Sequence, residues 1–406
     1  MENSNNKNSN IKPVIAISLL TAACLVGDSM LYIVLPTHWQ EAGLSSLWEV
    51  GVLLSANRLI RLPLNPIVGW LYQRISSRIG VLLATLLAVI TTASYGLLQG
   101  FWLLLAMRCI WGIAWTFLRL GAYFTILDFS SDNNRGHFMG TYNGLFRLGS
   151  LVGMLAGGLL ADSFGLKTTA ILFAALTACS IPCIFLFIPK ALTHQRDVAT
   201  GCIPTAHILK EWPVVWALLT GAVVAMIYQG LFNATISHLI KTLYSEMVSI
   251  GGFLIGAASL AGILQALRWS WEPWLAPWFG RRSDGRGGRR FLLTSTLLLA
   301  TALFTLIPLQ LPILFWLFLL LLLQVTATIL TTLADAVASD VAVSTSKAVV
   351  MTAYSFAIDL GAALGPLAAY LLTQTMGPEY TYWFAGVVLG LISLKWLIAS
   401  PMSQAD

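Results

Sequence analysis

Residues 142–153 read Tyr-Asn-Gly-Leu-Phe-Arg-Leu-Gly-Ser-Leu-Val-Gly, and residues 354–365 read Tyr-Ser-Phe-Ala-Ile-Asp-Leu-Gly-Ala-Ala-Leu-Gly. Tyr142, Gly149 and Gly153 run in step with Tyr354, Gly361 and Gly365, without a gap. Upstream, Asp128 followed by Arg135 matches Asp340 followed by Lys347, and Pro66-Ile-Val-Gly69 matches Pro277-Trp-Phe-Gly280. Glycines alone would be weak evidence, because they are common in membrane helices. Here an acid, a base, a tyrosine and glycines keep phase together, so the chain reads as two related halves.

Both halves are strongly apolar. The 406 residues are 57% hydrophobic and 10% charged, with a mean hydropathy of +0.80; a soluble domain carries roughly 25% charged residues. A bilayer-crossing helix needs about 20 mostly apolar residues. About twelve such stretches fit the chain, over 13–35, 48–72, 79–98, 101–127, 138–161, 167–189, 213–235, 247–279, 291–308, 312–336, 348–374 and 381–399. Alternating barrel-type strands are missing, so helices must satisfy the backbone in lipid. The stretch 247–279 is too long for one straight span and is expected to break near Pro273 or Pro277.

The expected fold class is therefore all-α: two six-helix bundles, over 13–189 and 213–399, related by a pseudo-two-fold repeat. A polar, Asn-rich, disordered segment, 1–12, precedes them, with a linker at 190–212 and a tail at 400–406. One set of alternate loops holds Lys7, Lys12, Arg74, Arg78, Arg135, Lys190, Arg196, Lys210, Arg281, Arg282, Arg286, Arg289, Arg290 and Lys347; the other holds little beyond Lys167 and Lys241. The positive-inside rule places the first set, and both termini, in the cytoplasm of a cell (inner or plasma) membrane. The same rule accounts for the net charge of +6, so nucleic acid is not an expected partner. The first apolar stretch has spanning length and no clear cleavage site, unlike a signal peptide.

Enzyme chemistry finds no support. The five cysteines and five histidines form no metal, disulfide or triad spacing, and no Gly-Lys-Ser/Thr phosphate loop is found. No catalytic residues, metal or cofactor are expected. Parallel six-helix repeats with a midplane site between them are a transporter plan, and the repeat is the strongest residue-level evidence for transport.

The loop after the second stretch, Gly69-Trp70-Leu71-Tyr72-Gln73-Arg74-Ile75-Ser76-Ser77-Arg78, resembles the Gly-x-Leu-x-Asp-Arg-x-Gly-x-Arg motif of the major facilitator superfamily. Gln73 and Ser76 depart from it. The second copy, Gly280-Arg-Arg-Ser-Asp284-Gly-Arg-Gly287-Gly-Arg289-Arg290, keeps the acid and the glycine but has Arg282 for Leu and Gly285 for the first Arg. The resemblance implies a charged latch built from Gly69, Arg74, Arg78, Asp128, Gly280, Asp284, Arg289 and Asp340; plain positive-inside bias is the other reading. Arg108-x-x-x-Gly112 resembles the family's fourth-helix motif. Gly140, Gly149, Gly153, Met154, Gly157 and Gly158 resemble its antiporter motif, with Met154 where Pro is expected; Gly361, Gly365 and Pro366 stand at the equivalent place. These small residues imply close helix packing. The resemblance covers the whole chain and implies secondary transport by a monomer.

Ionisable groups inside a span are functional candidates. Asp28 lies about 12 Å below Pro36 and Arg58 about 15 Å into its own span, at 1.5 Å per residue. The two can pair; Asp28 is either part of a static ion pair or a proton carrier, with Arg108 as the other proton-coupling residue. Arg108, Trp111, Trp115 and Arg119 share one helix face. That face, with Arg58, either lines a substrate cavity suited to an amphipathic or anionic solute, or packs against a neighbour with its arginines snorkelling. The repeat sets Arg61 against Glu272 and Arg147 against Asp359. In the fold that the resemblance implies, this predicts cytoplasmic gate pairs Arg61–Asp359 and Arg147–Glu272, unless Glu272 pairs with Arg268 on its own helix. The leading function is proton-coupled export of a small amphipathic or anionic organic compound. Alternatives are organic-anion uptake, lipid flipping on the same fold, and a non-transporting sensor or assembly factor.

Overall fold

The computed structural model describes residues 11–72, 74–129, 135–188, 211–283, 288–345 and 347–398. Gln73, Asp284, most of the linker 190–212 and the segments 1–10 and 399–406 lie outside the described residues. The chain is helical almost throughout: α1 Lys12–Val34, α2 Leu47–Leu71, α3 Ser77–Leu97, α4 Phe101–Phe129, α5 Arg135–Cys179, α6 Ile181–Phe187, α7 Trp212–Val224, a π-helical segment Ala225–Phe232, α8 Asn233–Tyr244, strands β1 Met247–Ile250 and β2 Phe253–Gly256, then α9 Ala257–Ser283, α10 Gly288–Leu306, α11 Ile313–Ser344, α12 Lys347–Thr375 and α13 Pro378–Ile398.

Nine helical stretches are long and apolar enough to cross a membrane among the described residues. One of them, Thr141–Phe187, is 47 residues long. It bends at Gly165, whose φ of 80° lies where a side chain would be strained, so it holds two legs. α2 and α9 are outside the nine; they carry Glu49, Arg58 and Arg61, and Arg268 and Glu272, which lower their hydropathy. The protein is a multi-pass membrane protein. The expected break of 247–279 near Pro273 or Pro277 does not occur: α9 is continuous from Ala257 to Ser283. The excess length is taken up before it, where β1 and β2 pair as a hairpin. Gly251 and Gly252 both have positive φ, 59° and 88°, the conformation a tight two-residue hairpin turn needs.

Residues Met1–Thr200 with Gly256–Ala266 form one compact unit, and Gly201–Ile255 with Leu267–Asp406 another. In the first, α1 is buried along most of its length and packs chiefly on α5, while α4 packs on α2 and α3. The closeness of α1 and α5 follows from glycine. A side chain on Gly149 or Gly153 would run into the Ala22 or Val26 carbonyl, and one on Gly157 into Met30. In the second unit, α12 packs on α7 and the π segment. Gly361 and Gly365 lie against the carbonyls of Ala222 and Met226, and Gly230 of the π segment meets Gly365 and Pro366. The same device therefore joins the first and fifth helices of each half. Elsewhere in the first core, the Tyr72 hydroxyl donates to the Phe117 carbonyl at 2.7 Å, and its ring occupies space left by Gly80 and Gly121.

Substituting Gly153 or Gly365 with Val is expected to destabilise the protein by at least the ~1–3 kcal/mol of ordinary core overpacking, read as a lower melting temperature in detergent. Gly69→Ala is expected to be silent, since nothing lies within 4 Å of the added methyl; equal losses at Gly69 and Gly153 would contradict this account of the seam.

Candidate functional site

The first unit holds a buried ion pair where α1, α2, α3 and α4 converge. Asp28 of α1 is 6% exposed and Arg108 of α4 1% exposed. Arg108 Nη1 donates to Asp28 Oδ1, which also accepts from Asn57 Nδ2 at 3.1 Å. Arg108 Nε donates to the Leu53 carbonyl at 2.9 Å, and the guanidinium lies 5.9 Å from the Tyr95 ring centroid. A charge this deep needs a counter-charge and hydrogen bonds together; α1 and α2 supply them. The Arg108-x-x-x-Gly112 spacing has a physical reason here. A side chain on Gly112 would strike Ile60 and the Asn57 carbonyl, so glycine lets α4 approach α2 closely enough for Arg108 to reach Leu53.

One layer away, Arg58 Nε donates to the Tyr32 hydroxyl at 3.3 Å. The buried carboxylate anticipated as a partner for Arg58 is thus held by Arg108 and Asn57. Along α4, Trp111 and Trp115 face each other with centroids 6.4 Å apart. From Trp115 the aromatic contacts continue to Phe146 at 5.9 Å, Tyr142 at 5.0 Å and Tyr123 at 6.0 Å. Arginines stand at both ends: Arg61 lies 5.3 Å from the Trp115 centroid, and Arg119 Nε donates to the Tyr123 hydroxyl at 3.1 Å. Trp111 is 1% exposed and belongs to the hydrophobic core of the unit, so the helix face carrying it is a packed interface at that position. Among the described residues, the indole N–H groups of Trp111 and Trp115 find no hydrogen-bond acceptor.

The other predicted residues fall as follows. Arg147 is exposed on α5, and Glu272 and Asp359 are half-buried in the second unit. Of the latch residues, Arg289 pairs with Asp340. Arg78 Nε donates to the Ile188 carbonyl at 2.6 Å, and Arg290 donates to the Trp396 and Leu397 carbonyls at 2.7 and 2.8 Å. Each of these two arginines thus caps the last carbonyls of its half's final helix, as cations favour. Arg74 stacks on Trp70 at 4.1 Å. Asp128 is exposed on the last turn of α4, and Gly280 faces the Thr332 methyl, which a side chain there would meet at ordinary contact distance.

The sequence reading missed Asn57, Tyr32, Tyr95, Tyr123 and Phe146 as parts of this network. It also missed the Tyr354 hydroxyl donating to Asp335 Oδ1 at 2.9 Å. The repeat carried a signal for the last: Asp335 and Tyr354 stand where the first half has Tyr123 and Tyr142. Asn57 and Tyr32 carry no charge and stood outside a search for ionisable groups.

A profile of the Major Facilitator Superfamily matches residues 17–272 and 273–405. Multidrug resistance protein MdtG of Escherichia coli (strain K12 / DH10B) is 27% identical over 300 residues, covering 69% of both chains. Among solved structures, a bacterial homolog of the human lysosomal transporter Spinster superposes with a TM-score of 0.72 at 15% identity, over 98% of this chain and 97% of that one. The nucleoside transporter NupG gives 0.70 at 14% identity, over 96% and 98%. These two likenesses bear on the fold.

Removing one member of the buried pair should cost more than removing both. Arg108→Gln is expected to destabilise by about 3–5 kcal/mol, and the double change Asp28→Asn with Arg108→Gln by less. Thermal unfolding in detergent measures it; additive losses would show that the two charges do not depend on one another.

Proposed function

The chain belongs to the Major Facilitator Superfamily, and on that premise we propose that it exports a small amphipathic or anionic organic compound in exchange for protons, by alternating access across the plasma (inner) membrane, with both termini cytoplasmic. That it is a transporter follows from the family. The coupling ion, direction and substrate class are the proposal, and the observation that carries it is the Asp28–Arg108 pair. Burying this pair costs desolvation that an apolar pair of the same shape would avoid, which favours a working role over a merely structural one.

In this reading, Asp28 holds its negative charge while Arg108 and Asn57 bond to it. Protonation of Asp28 at Oδ1 or Oδ2 removes the charge that Arg108 faces, and frees α4 to shift against α1. The movement passes along α4 to Trp115 and Arg119, three and seven residues beyond Gly112 on the same helix. The Trp115 indole N–H, with Arg61 beside it, and Arg119 offer a donor, two cations and aromatic surface to an anionic or amphipathic solute. Cations over aromatic faces are worth about 0.5–2 kcal/mol each, so a substrate can take over such contacts at modest cost. Export is favoured by the likeness to MdtG, whose name is that of a multidrug resistance protein.

The gate pairs belong to the same proposal. Arg61 with Asp359, and Arg147 with Glu272, would form in one state of the cycle and break in the other. Reversing one charge of a pair should abolish transport, and swapping both should restore part of it; equal outcomes for single reversals and swap would remove the pair from the mechanism.

The direct test uses inverted membrane vesicles carrying an inside-acid proton gradient, with organic anions and amphipathic dyes added outside. The expected result is dissipation of the gradient by a subset of compounds in wild type, lost in Asp28→Asn and weakened at least tenfold in apparent affinity in Arg119→Ala. Transport that proceeds in Asp28→Asn with the gradient still dissipated would overturn the coupling role.

A further inference from the structure

Asp162 takes no part in the network described above, yet it is tied to a distant helix. It stands three residues before the Gly165 bend of α5. Its Oδ2 accepts from the Ser259 backbone N–H at 2.7 Å and from the Ser259 hydroxyl at 2.6 Å. Ser259 is the third residue of α9, where a helix has N–H groups without intrahelical partners. Those donors are normally met by a side chain just before the helix. Gly256 occupies that place and has none; a side chain there would collide with the Asp162 carboxylate. The N-cap of α9 is thus supplied by α5, about a hundred residues away in sequence, and by an anion, the form the helix N-terminus favours.

The contact surface beside this cap has a second property. A side chain on Gly158 would meet the Ala258 carbonyl, and one on Gly262 the Met154 carbonyl. The Ser259 hydroxyl also lies 3.3 Å from the Gly158 carbonyl. At these positions the backbones of α5 and α9 touch through small residues. Small residues permit this close approach, and the Asp162 cap is the charge-assisted bond across the seam. By its contacts, α9 changes allegiance along its length: Gly256–Ala266 belong with the first unit and Leu267 onward with the second.

We propose that the Asp162–Ser259 cap is a releasable latch. It holds the first turns of α9 on α5 in the state described here, and opens once per cycle to free the α9 N-terminus to water. This inference rests on the transporter reading for its place in a cycle, but its test needs no substrate. Within the first unit the seam lies at the end opposite Arg78, on the side where the chain bends at Gly165.

The test exchanges the native cysteines for serine and places a reporter cysteine at Ala261, which is fully buried. A membrane-impermeant maleimide is applied from the side of the Gly165 bend. Asp162→Ala is expected to raise the labelling rate about tenfold or more, the shift that follows from losing a hydrogen bond to a charged group. Asp162→Asn, whose amide oxygen still accepts the Ser259 N–H, is expected to fall between Ala and wild type. Labelling in Asp162→Ala equal to wild type overturns the latch. The opposite variant guards against a misfolded one: Asp162→Cys with Ser259→Cys, oxidised, should suppress labelling at position 261 and recover it on reduction. Undiminished labelling of the cross-linked protein would likewise overturn the latch. Failure of the vesicle experiment with this pattern intact would count against proton-coupled export alone.

Discussion

A guanidinium that is 1% exposed inside a membrane helix sets the terms for the first half of this molecule. Arg108 cannot be left without a counter-charge, because the effective penalty for a buried ion is several kcal/mol. Asp28 must therefore stand opposite it on α1, Asn57 must orient the carboxylate, and α2 must present the Leu53 carbonyl. Gly112 is what lets α4 come near enough for this to happen. Three helices, α1, α2 and α4, are tied together by one residue's need for partners.

Glycine carries the second constraint. Lipid offers no hydrophobic drive between helices, so packing depends on how closely backbones approach. In both halves, two glycines four residues apart on the fifth helix rest on carbonyls of the first. Gly149 and Gly153 rest on Ala22 and Val26, and Gly361 and Gly365 on Ala222 and Met226. Arg78 and Arg290 repeat another contact, each donating to carbonyls at the end of its half's last helix. The halves diverge in chemistry within this shared frame. Asp28 of α1 has a tyrosine, Tyr228, at the corresponding depth of the π segment, hydrogen-bonded to Thr326 at 2.8 Å. Tyr123 and Tyr142 of the first half correspond to Asp335 and Tyr354 of the second. The buried ion pair at the Arg108 level thus has a tyrosine–threonine hydrogen bond as its counterpart in the second half.

Much of this was legible in the sequence because charge in lipid is rare and therefore informative. Asp28 and Arg108 stood out as ionisable groups in apolar stretches, and the phased tyrosines and glycines gave the repeat. What stayed hidden was neutral or conformational. Asn57 and Tyr32 are ordinary residues until their neighbours are known, so Arg58 was matched to Asp28 on depth, and its hydrogen bond to the Tyr32 hydroxyl was not foreseen. Trp111 shares a helix face with Arg119, yet periodicity does not say which part of a face is covered by a neighbour. The β-hairpin over 247–256 was read into a helix because its apolar residues run on without a charge. The Gly251-Gly252 pair that makes the turn was the available signal.

The account turns on whether Asp28 carries a proton in the working protein, and infrared difference spectroscopy of the purified transporter in lipid addresses this directly. On acidification the account predicts a carboxylic-acid carbonyl band that is absent in Asp28→Asn. A band that persists unchanged in Asp28→Asn, or none assignable to Asp28 across the pH range in which transport operates, would show the pair to be a fixed structural bridge and would contradict the account.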